Sequence, residues 1–245
     1  MAAPGLAVRA LSMNLLAIET STPFCSVAAR GGRSGLAHFE AGQRHAELVL
    51  EAVRKVMAQA EIGFGDLDGI AYGMGPGSFT GLRIACGVTQ GLALSHGLGV
   101  VGVVSLAAMA EQAGQGGAGA VIACLDARMG EVYHAAYRKS EGGRSEKAAG
   151  WEVVSPPGLY APDAVPKLPG TGWTACGSGF TAHGVALRAR YEGQLDKVIS
   201  DCVPMAGAIL DLAEPVFAAG GAGDAAQALP LYLRDKVALT KAEQP

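Results

Sequence analysis

The residues with the greatest potential for chemistry lie in the stretch 72–87, YGMGPGSFTGLRIACG, which contains five glycines together with Ser78, Thr80 and Arg83. A glycine-rich turn that leads into a helix can hold a phosphate, because its backbone approaches a ligand closely and the first helical N–H groups point outward. A turn of this kind can also present a catalytic nucleophile. The residues at fixed positions in the turn distinguish these possibilities.

The spelling of this turn excludes three standard sites. A P-loop requires a lysine after its last glycine, and no lysine lies near the turn. A nucleophile elbow requires glycine two residues before the serine, where this sequence has Pro76. A dinucleotide fingerprint would need glycine where Ser78 stands. We therefore predict that Ser78 is the N-cap of a helix that runs from about Phe79 to His96.

Metal and protease chemistry have no support in the sequence. The five histidines are isolated, and no H-x-x-x-H pair would place two imidazoles on one helix face. The five cysteines contain no C-x-x-C pair, so we expect free thiols in a reducing compartment. We predict no catalytic residue and no metal site.

The composition describes a globular chain of moderate acidity. Of 245 residues, 50% are apolar and 17% are charged, which favours a sizeable core. A net charge of −3 does not suit a protein that grips nucleic acid through its own phosphate contacts. No apolar run has the length and lack of charge of a membrane span, so we expect a cytoplasmic protein that does not contact membranes.

The elements that would position these residues follow an order that occurs twice. Three strand-like runs, a helix, a strand, a helix, a strand and a helix fill the first half, and a degraded form of the same order restarts near residue 120. This order predicts an α/β protein with the duplicated fold of actin, sugar kinases and Hsp70. The predicted divisions are a disordered extension, two actin-like subdomains and a tail, at residues 1–12, 13–115, 116–225 and 226–245.

A weaker phosphate-binding interpretation stays open for the turn. Proteins of the duplicated class hold phosphate and metal after the first strand, where this chain has an acid and hydroxyl residues, and no lysine supports them. The free N–H groups at the start of the predicted helix add a second contribution. The possible vestigial phosphate-binding residues are Glu19, Thr20, Ser21, Ser78 and Thr80.

The helix after the turn carries small residues on one face. Gly87, Gly91 and Ser95 recur at intervals of four, and each glycine inside a helix costs about 0.5–1 kcal/mol relative to alanine. Either the sheet of the chain itself or the helix of a partner protein packs against this face. In the second case the helix over residues 43–60, which is apolar on more than one face, is the natural neighbour.

The motifs LLAIETST, QRHAE, GPGSFTGLR, DARMGEVY and PLYLRD together resemble the TsaB family, also called YeaZ. The resemblance covers nearly the whole chain after residue 12. It implies an actin-like, non-catalytic subunit of the machinery that forms N6-threonylcarbamoyladenosine beside the anticodon of tRNAs reading codons that begin with A. Glu19 is a departure, because relatives more often have aspartate there, which weakens a nucleotide role.

The resemblance also implies the partners. TsaB proteins bind and activate the catalytic paralogue TsaD through their first two helices, or pair with themselves when TsaD is absent. TsaE and the tRNA join through that complex, and no cofactor is implied except ATP or ADP bound weakly or at the shared interface. The implied partner-binding residues are His45, Leu48, Val49, Ala52, Leu82, Arg83, Cys86, Gly87, Gln90 and Gly91.

Two enzymatic alternatives come from the same residues. One is an actin-like ATPase or kinase that uses Glu19, Thr20 and Ser78 near phosphate. The other follows an older family label, an M22-type glycoprotease, which this sequence does not support.

Overall fold

The first half of the chain forms a five-stranded mixed sheet with three helices. In this computed structural model, which describes residues 13–140 and 150–234, the central strand pairs in parallel with one neighbour and antiparallel with the nearer strand of a hairpin on its other side. Its elements are β1 (Leu15–Glu19), β2 (Phe24–Arg30), β3 (Ser34–Glu40), α1 (His45–Ala60), β4 (Gly69–Gly75), α2 (Phe79–His96), β5 (Gly99–Val104) and α3 (Ser105–Gln115).

The second half forms another five-stranded sheet with three helices, of which α4 and α5 have only 5 and 7 residues. Its elements are β6 (Ala120–Arg128), β7 (Glu131–Lys139), β8 (Trp151–Tyr160), β9 (Trp173–Cys176), α4 (Ser178–Ala182), α5 (Gly184–Arg190), β10 (Leu195–Ile199) and α6 (Ala206–Ala218). Two 3-10 turns, Phe64–Asp66 and Ala225–Gln227, complete the described elements.

The two sheets repeat one topology. The strand order is β3-β2-β1-β4-β5 in the first and β8-β7-β6-β9-β10 in the second, with the same parallel and antiparallel pairs. The predicted duplicated α/β fold is therefore confirmed, and so is the degradation of the second half. Residues 161–172, where a counterpart of α1 would lie, form no helix, and the counterpart of α2 is the short pair α4 and α5.

The two edge strands of the second sheet, β8 and β10, lack a regular strand pattern in the sequence. β10 is an edge strand whose Asp196 and Lys197 are exposed, so it lacks an apolar run. β8 continues through Pro156 and Pro157, which an edge strand tolerates because one side of its backbone pairs with no strand.

The last helix of each half lies in a layer between the two sheets. Helix α3 packs against β6 and β7 of the other half, and α6 packs against β1 and β2. One core cluster contains residues of both sheets and both helices, among them Leu15, Met109, Leu125 and Ile209. The paired carboxylates Asp211 and Glu214 of α6 meet the guanidinium of Arg30 on β2. The halves predicted at 13–115 and 116–225 therefore share a core.

The two predicted terminal segments lie wholly or partly outside the described residues. The predicted extension at residues 1–12, and residues 235–245 of the predicted tail, lie outside the described residues. The described part of that tail packs on the first half, where Ala228 is buried beside α2 together with Ala225, which precedes the tail. No helix among the described residues is long and apolar enough to cross a membrane.

A buried histidine makes the second half sensitive to acid. His134 on β7 is fully buried, and its Nε2 atom lies 2.8 Å from the Tyr191 hydroxyl, which donates to the Pro166 carbonyl. Burial lowers the pKa of His134 from 6.5 to about 4, since the charged imidazolium would lose its hydration. The unfolded chain therefore takes up this proton at a higher pH than the folded chain.

We predict that His134 lowers the stability of the protein between pH 6.5 and pH 4. The folded-state pKa is depressed, so stability is retained above the unfolded pKa and falls with pH until the folded pKa is reached. The loss is about 3 kcal/mol, at about 1.4 kcal/mol per pKa unit. Urea unfolding of His134→Gln across this range should show a shallower pH slope than wild type, and the surface variant His96→Gln should keep the wild-type slope. Equal slopes for wild type and His134→Gln would contradict the prediction.

Candidate functional site

The acidic residue predicted to face a phosphate instead bonds to its own chain. Glu19 ends β1 and is buried. One carboxylate oxygen accepts the backbone N–H of Ser21, and the other accepts the hydroxyl of Ser105 at 2.7 Å, at the start of α3. Gly73 of β4 lies so close that a Cβ there would come within 2.0 Å of the carboxylate. Glu19 therefore links β1, β4 and α3.

The surroundings of Glu19 disfavour its ionised form. Burial raises the pKa of the carboxyl above its usual value, and the hydrogen bonds from Ser21 and Ser105 counter part of that effect. A group that holds a hydrated cation against phosphates needs an exposed carboxylate oxygen, and both oxygens of Glu19 are directed at donors inside the protein.

The turn after β1 fills the space in front of α2. The hydroxyl of Thr20 donates to the Gly81 carbonyl at 2.7 Å, and the N–H of Ser78 donates to the Ser21 carbonyl at 2.7 Å. A Cβ at Gly81 would lie 1.9 Å from the Thr20 carbonyl oxygen, and one at Gly77 would lie 2.4 Å from that of Ser21. The glycines thus allow one backbone to lie directly against another.

Ser78 takes the role that the sequence predicts. Its side chain accepts the N–H of Gly81 and caps α2, which runs over the predicted range from Phe79 to His96. Thr80 is exposed in the first turn of the helix. The structure brings the five possible phosphate-binding residues together. Glu19, Thr20 and Ser78 bond within the chain, whereas the hydroxyl of Ser21 is buried with no hydrogen-bond partner among the described residues.

A cleft of about 670 Å³ separates the two halves next to this turn. Its walls come from the turn after β1, the start of α2, the β6–β7 turn and the described end of the chain. Asp126 lies near the end of β6, and its carboxylate accepts the N–H of Arg128 two residues later, as that of Glu19 accepts the N–H of Ser21. Most of the lining is apolar, including Phe24, Phe79 and Leu231.

The glycine face of α2 is open. A Cβ at Gly87 or Gly91 would meet no atom of the described residues within 4 Å, and both residues are exposed. The sheet packs instead against the opposite side of the helix, through Ala85, Thr89 and Ala93. Of the two interpretations of this face, packing against the sheet of the same chain is therefore wrong.

The ten implied partner-binding residues divide by exposure. Arg83, Gly87 and Gly91 are exposed, and Leu48 and Gln90 are half-buried. The other five are buried within the first half, so an exposed face cannot use their side chains: His45, Val49, Ala52, Leu82 and Cys86. The buried set points inward because α1 covers β2 and β3 and α2 covers β4.

A segment that no sequence pattern predicts lies beside the glycine face of α2. Residues 222–234, which we call the C-terminal strap, run along α2. The Gln90 side chain donates to the Ala228 carbonyl at 3.0 Å, and Arg83 donates to the Tyr232 hydroxyl at 2.9 Å. The strap contains one short 3-10 turn and no apolar period, so only the quoted motif PLYLRD marked it.

Comparison with known proteins identifies the family. A family model described as TsaD, tRNA N6-adenosine threonylcarbamoyltransferase, matches residues 21–168. The chain is 37% identical to the tRNA threonylcarbamoyladenosine biosynthesis protein TsaB of Escherichia coli, over 94% of this chain and 98% of that protein. The chain belongs to the TsaB family. The TsaB of Haemophilus influenzae is 31% identical over 94% of this chain and 97% of its own length.

Solved structures of TsaB relatives have the same fold. A Pseudomonas aeruginosa protein described as similar to peptidase YEAZ is 33% identical, with a TM-score of 0.81, over 91% of this chain and all (100%) of that one. YeaZ from the same organism is 34% identical, with a TM-score of 0.79, over 90% of this chain and 100% of that one. The resemblance to the TsaB family is confirmed over nearly the whole chain.

Replacement of glycine by alanine should have opposite effects on stability at two positions of α2. Gly81→Ala forces a methyl group against the Thr20 carbonyl and should lower the free energy of unfolding by about 1–3 kcal/mol. Gly87→Ala adds a methyl group in open space and should raise it by about 0.5–1 kcal/mol through helix propensity. Urea unfolding of both variants measures this difference, and a stabilised Gly81→Ala variant would contradict the packing of the turn.

Proposed function

We propose that this chain is an accessory, non-catalytic subunit in the formation of N6-threonylcarbamoyladenosine at the adenosine beside the anticodon of tRNAs that read codons starting with A. It binds TsaD and activates it, and TsaD carries out the transfer. The names of the TsaB relatives supply the pathway. The open glycine face of α2 is the observation that supports a binding role.

The energetics of α2 favour contact with another backbone. Gly87 and Gly91 each cost about 0.5–1 kcal/mol relative to alanine, and no packing within the described residues offsets that loss. A glycine surface lets a second helix approach closely enough for its backbone to make van der Waals contact. A bound helix would recover the energy that the free chain lacks.

The match to a TsaD family model supports TsaD as the protein that contributes the second helix. The model matches residues 21–168, a range that contains both α1 and α2. A TsaD protein that shares this part of the fold has its own helix pair, and two such pairs can pack together around a pseudo-twofold axis. We propose that the same geometry allows a homodimer when TsaD is absent.

The interior of the first half supports the non-catalytic part of the proposal. Glu19 joins the turn after β1 to the start of α3 through its two carboxylate oxygens, which supports a structural role. We propose that the isolated chain binds no nucleotide at this turn and that ATP or ADP bind only weakly or at the interface with TsaD. TsaE and the tRNA contact the chain as parts of the complex.

A larger side chain on the open face should weaken binding to TsaD and raise the stability of the fold. We predict that Gly91→Leu lowers the affinity for TsaD of the same organism at least tenfold, because the side chain holds the helices apart. The same variant should unfold at higher urea, since leucine has the better helix propensity. Calorimetric titration of TsaD and urea unfolding give the two measurements.

A control variant tests whether a loss of affinity depends on the position in α2 or on the leucine side chain itself. Gly184→Leu places the same side chain at the start of α5, where a Cβ would meet only the end of Arg188 at 4.0 Å. It should bind TsaD as the wild type does, and it should support tRNA modification in a reconstituted reaction. Wild-type affinity in Gly91→Leu would remove this face from the interface.

The isolated chain should show no saturable binding of ATP with magnesium at concentrations up to about 1 mM. The physical reason is that the turn in front of α2 is filled by its own carbonyl and hydroxyl groups. Calorimetry of the purified chain measures this directly. Tight binding with turnover that Glu19→Ala abolishes would favour the ATPase alternative and contradict the proposal.

A further inference from the structure

The C-terminal strap is anchored to the first half through its backbone. The Tyr72 hydroxyl donates to the Leu229 carbonyl at 3.2 Å, and the Leu231 N–H donates to the Met74 carbonyl at 2.6 Å. These bonds hold the strap in place without using the Leu229 side chain, which is 64% exposed. The strap therefore presents an apolar side chain from a fixed backbone.

The strap borders the open face of α2. At 100° per residue, Arg83, Gly87, Gly91 and Leu94 lie within about 80° of the helix circumference. Arg83 lies at the strap side of this arc, where its guanidinium stacks on Phe79 at 3.7 Å and donates to the Tyr232 hydroxyl. The glycine face therefore continues onto the strap.

Several of the large exposed hydrophobic residues belong to α2 and the strap. Nine large hydrophobic residues are exposed in the described structure, and four of them belong to α2 or the strap: Phe79, Leu94, Leu229 and Tyr232. The aromatic rings of Phe79 and Tyr232 lie 5.4 Å apart and join the two elements. A clustered apolar surface of this kind favours a protein–protein contact over solvent.

We propose that the strap is a second part of the TsaD-binding face, in which Leu229 and Tyr232 pack against the apolar side of a TsaD helix whose backbone lies over Gly87 and Gly91. This inference rests on the proposed pairing with TsaD. The strap lies beyond residues 21–168, the range that the TsaD family model matches. It is therefore a contribution that this chain makes beyond the helix pair described by that model.

A charge at Leu229 tests the strap without disturbing its anchor. Leu229→Asp keeps the backbone carbonyl that accepts from Tyr72, so the variant should fold with wild-type stability. It should weaken TsaD binding at least tenfold, because the carboxylate would be buried against apolar side chains. Calorimetric titration of TsaD into each full-length variant provides the affinities.

The control variants distinguish a contribution of the strap from the proposed helix pairing with TsaD. Val185→Asp places the same charge on α5 at a side chain that is 90% exposed, and it should bind TsaD as the wild type does. If Gly91→Leu weakens binding while Leu229→Asp and Tyr232→Ala stay within twofold of wild type, the strap proposal is wrong and the helix pairing stands. If the wild-type chain does not bind TsaD, both proposals are overturned.

Discussion

The structure depends on the close contact between the turn after β1 and the first turn of α2. Thr20 and Ser21 place their carbonyl oxygens where side chains at Gly81 and Gly77 would otherwise lie, and the hydroxyl of Thr20 bonds back to Gly81. This contact sets the position of α2 on the sheet. The same glycines that suggest a ligand loop therefore serve backbone packing.

That constraint determines which side of α2 meets the interior. Ala85, Thr89 and Ala93 face the sheet, so the glycines on the other side face outward together with Arg83 and neighbouring apolar groups. Glu19 strengthens the arrangement from beneath, since its carboxylate bonds to both the turn and the start of α3. A rigid support of this kind favours recognition by shape, with little rearrangement of the backbone on binding.

The sequence predicts most of the fold because its signals are local. Alternating strands, a serine cap before Phe79 and a glycine after His96 place α2 correctly, and the restart near residue 120 reveals the duplication. The sequence pattern could not predict contacts between residues that are far apart along the chain. The inward turn of Glu19 depends on Ser105, which is 86 residues away, and the burial of half of the implied partner residues depends on the sheet beneath them.

The loss of one helix from the second half leaves the molecule one-sided. In the first half α1 and α2 flank a surface, whereas residues 161–172 and the short helices α4 and α5 replace that pair in the second. A duplicated protein with two equivalent faces can link neighbours on both sides and grow into a filament. The described residues contain a single helix pair of this type, so the proposed pairing through it would leave no second equivalent face in that part of the chain.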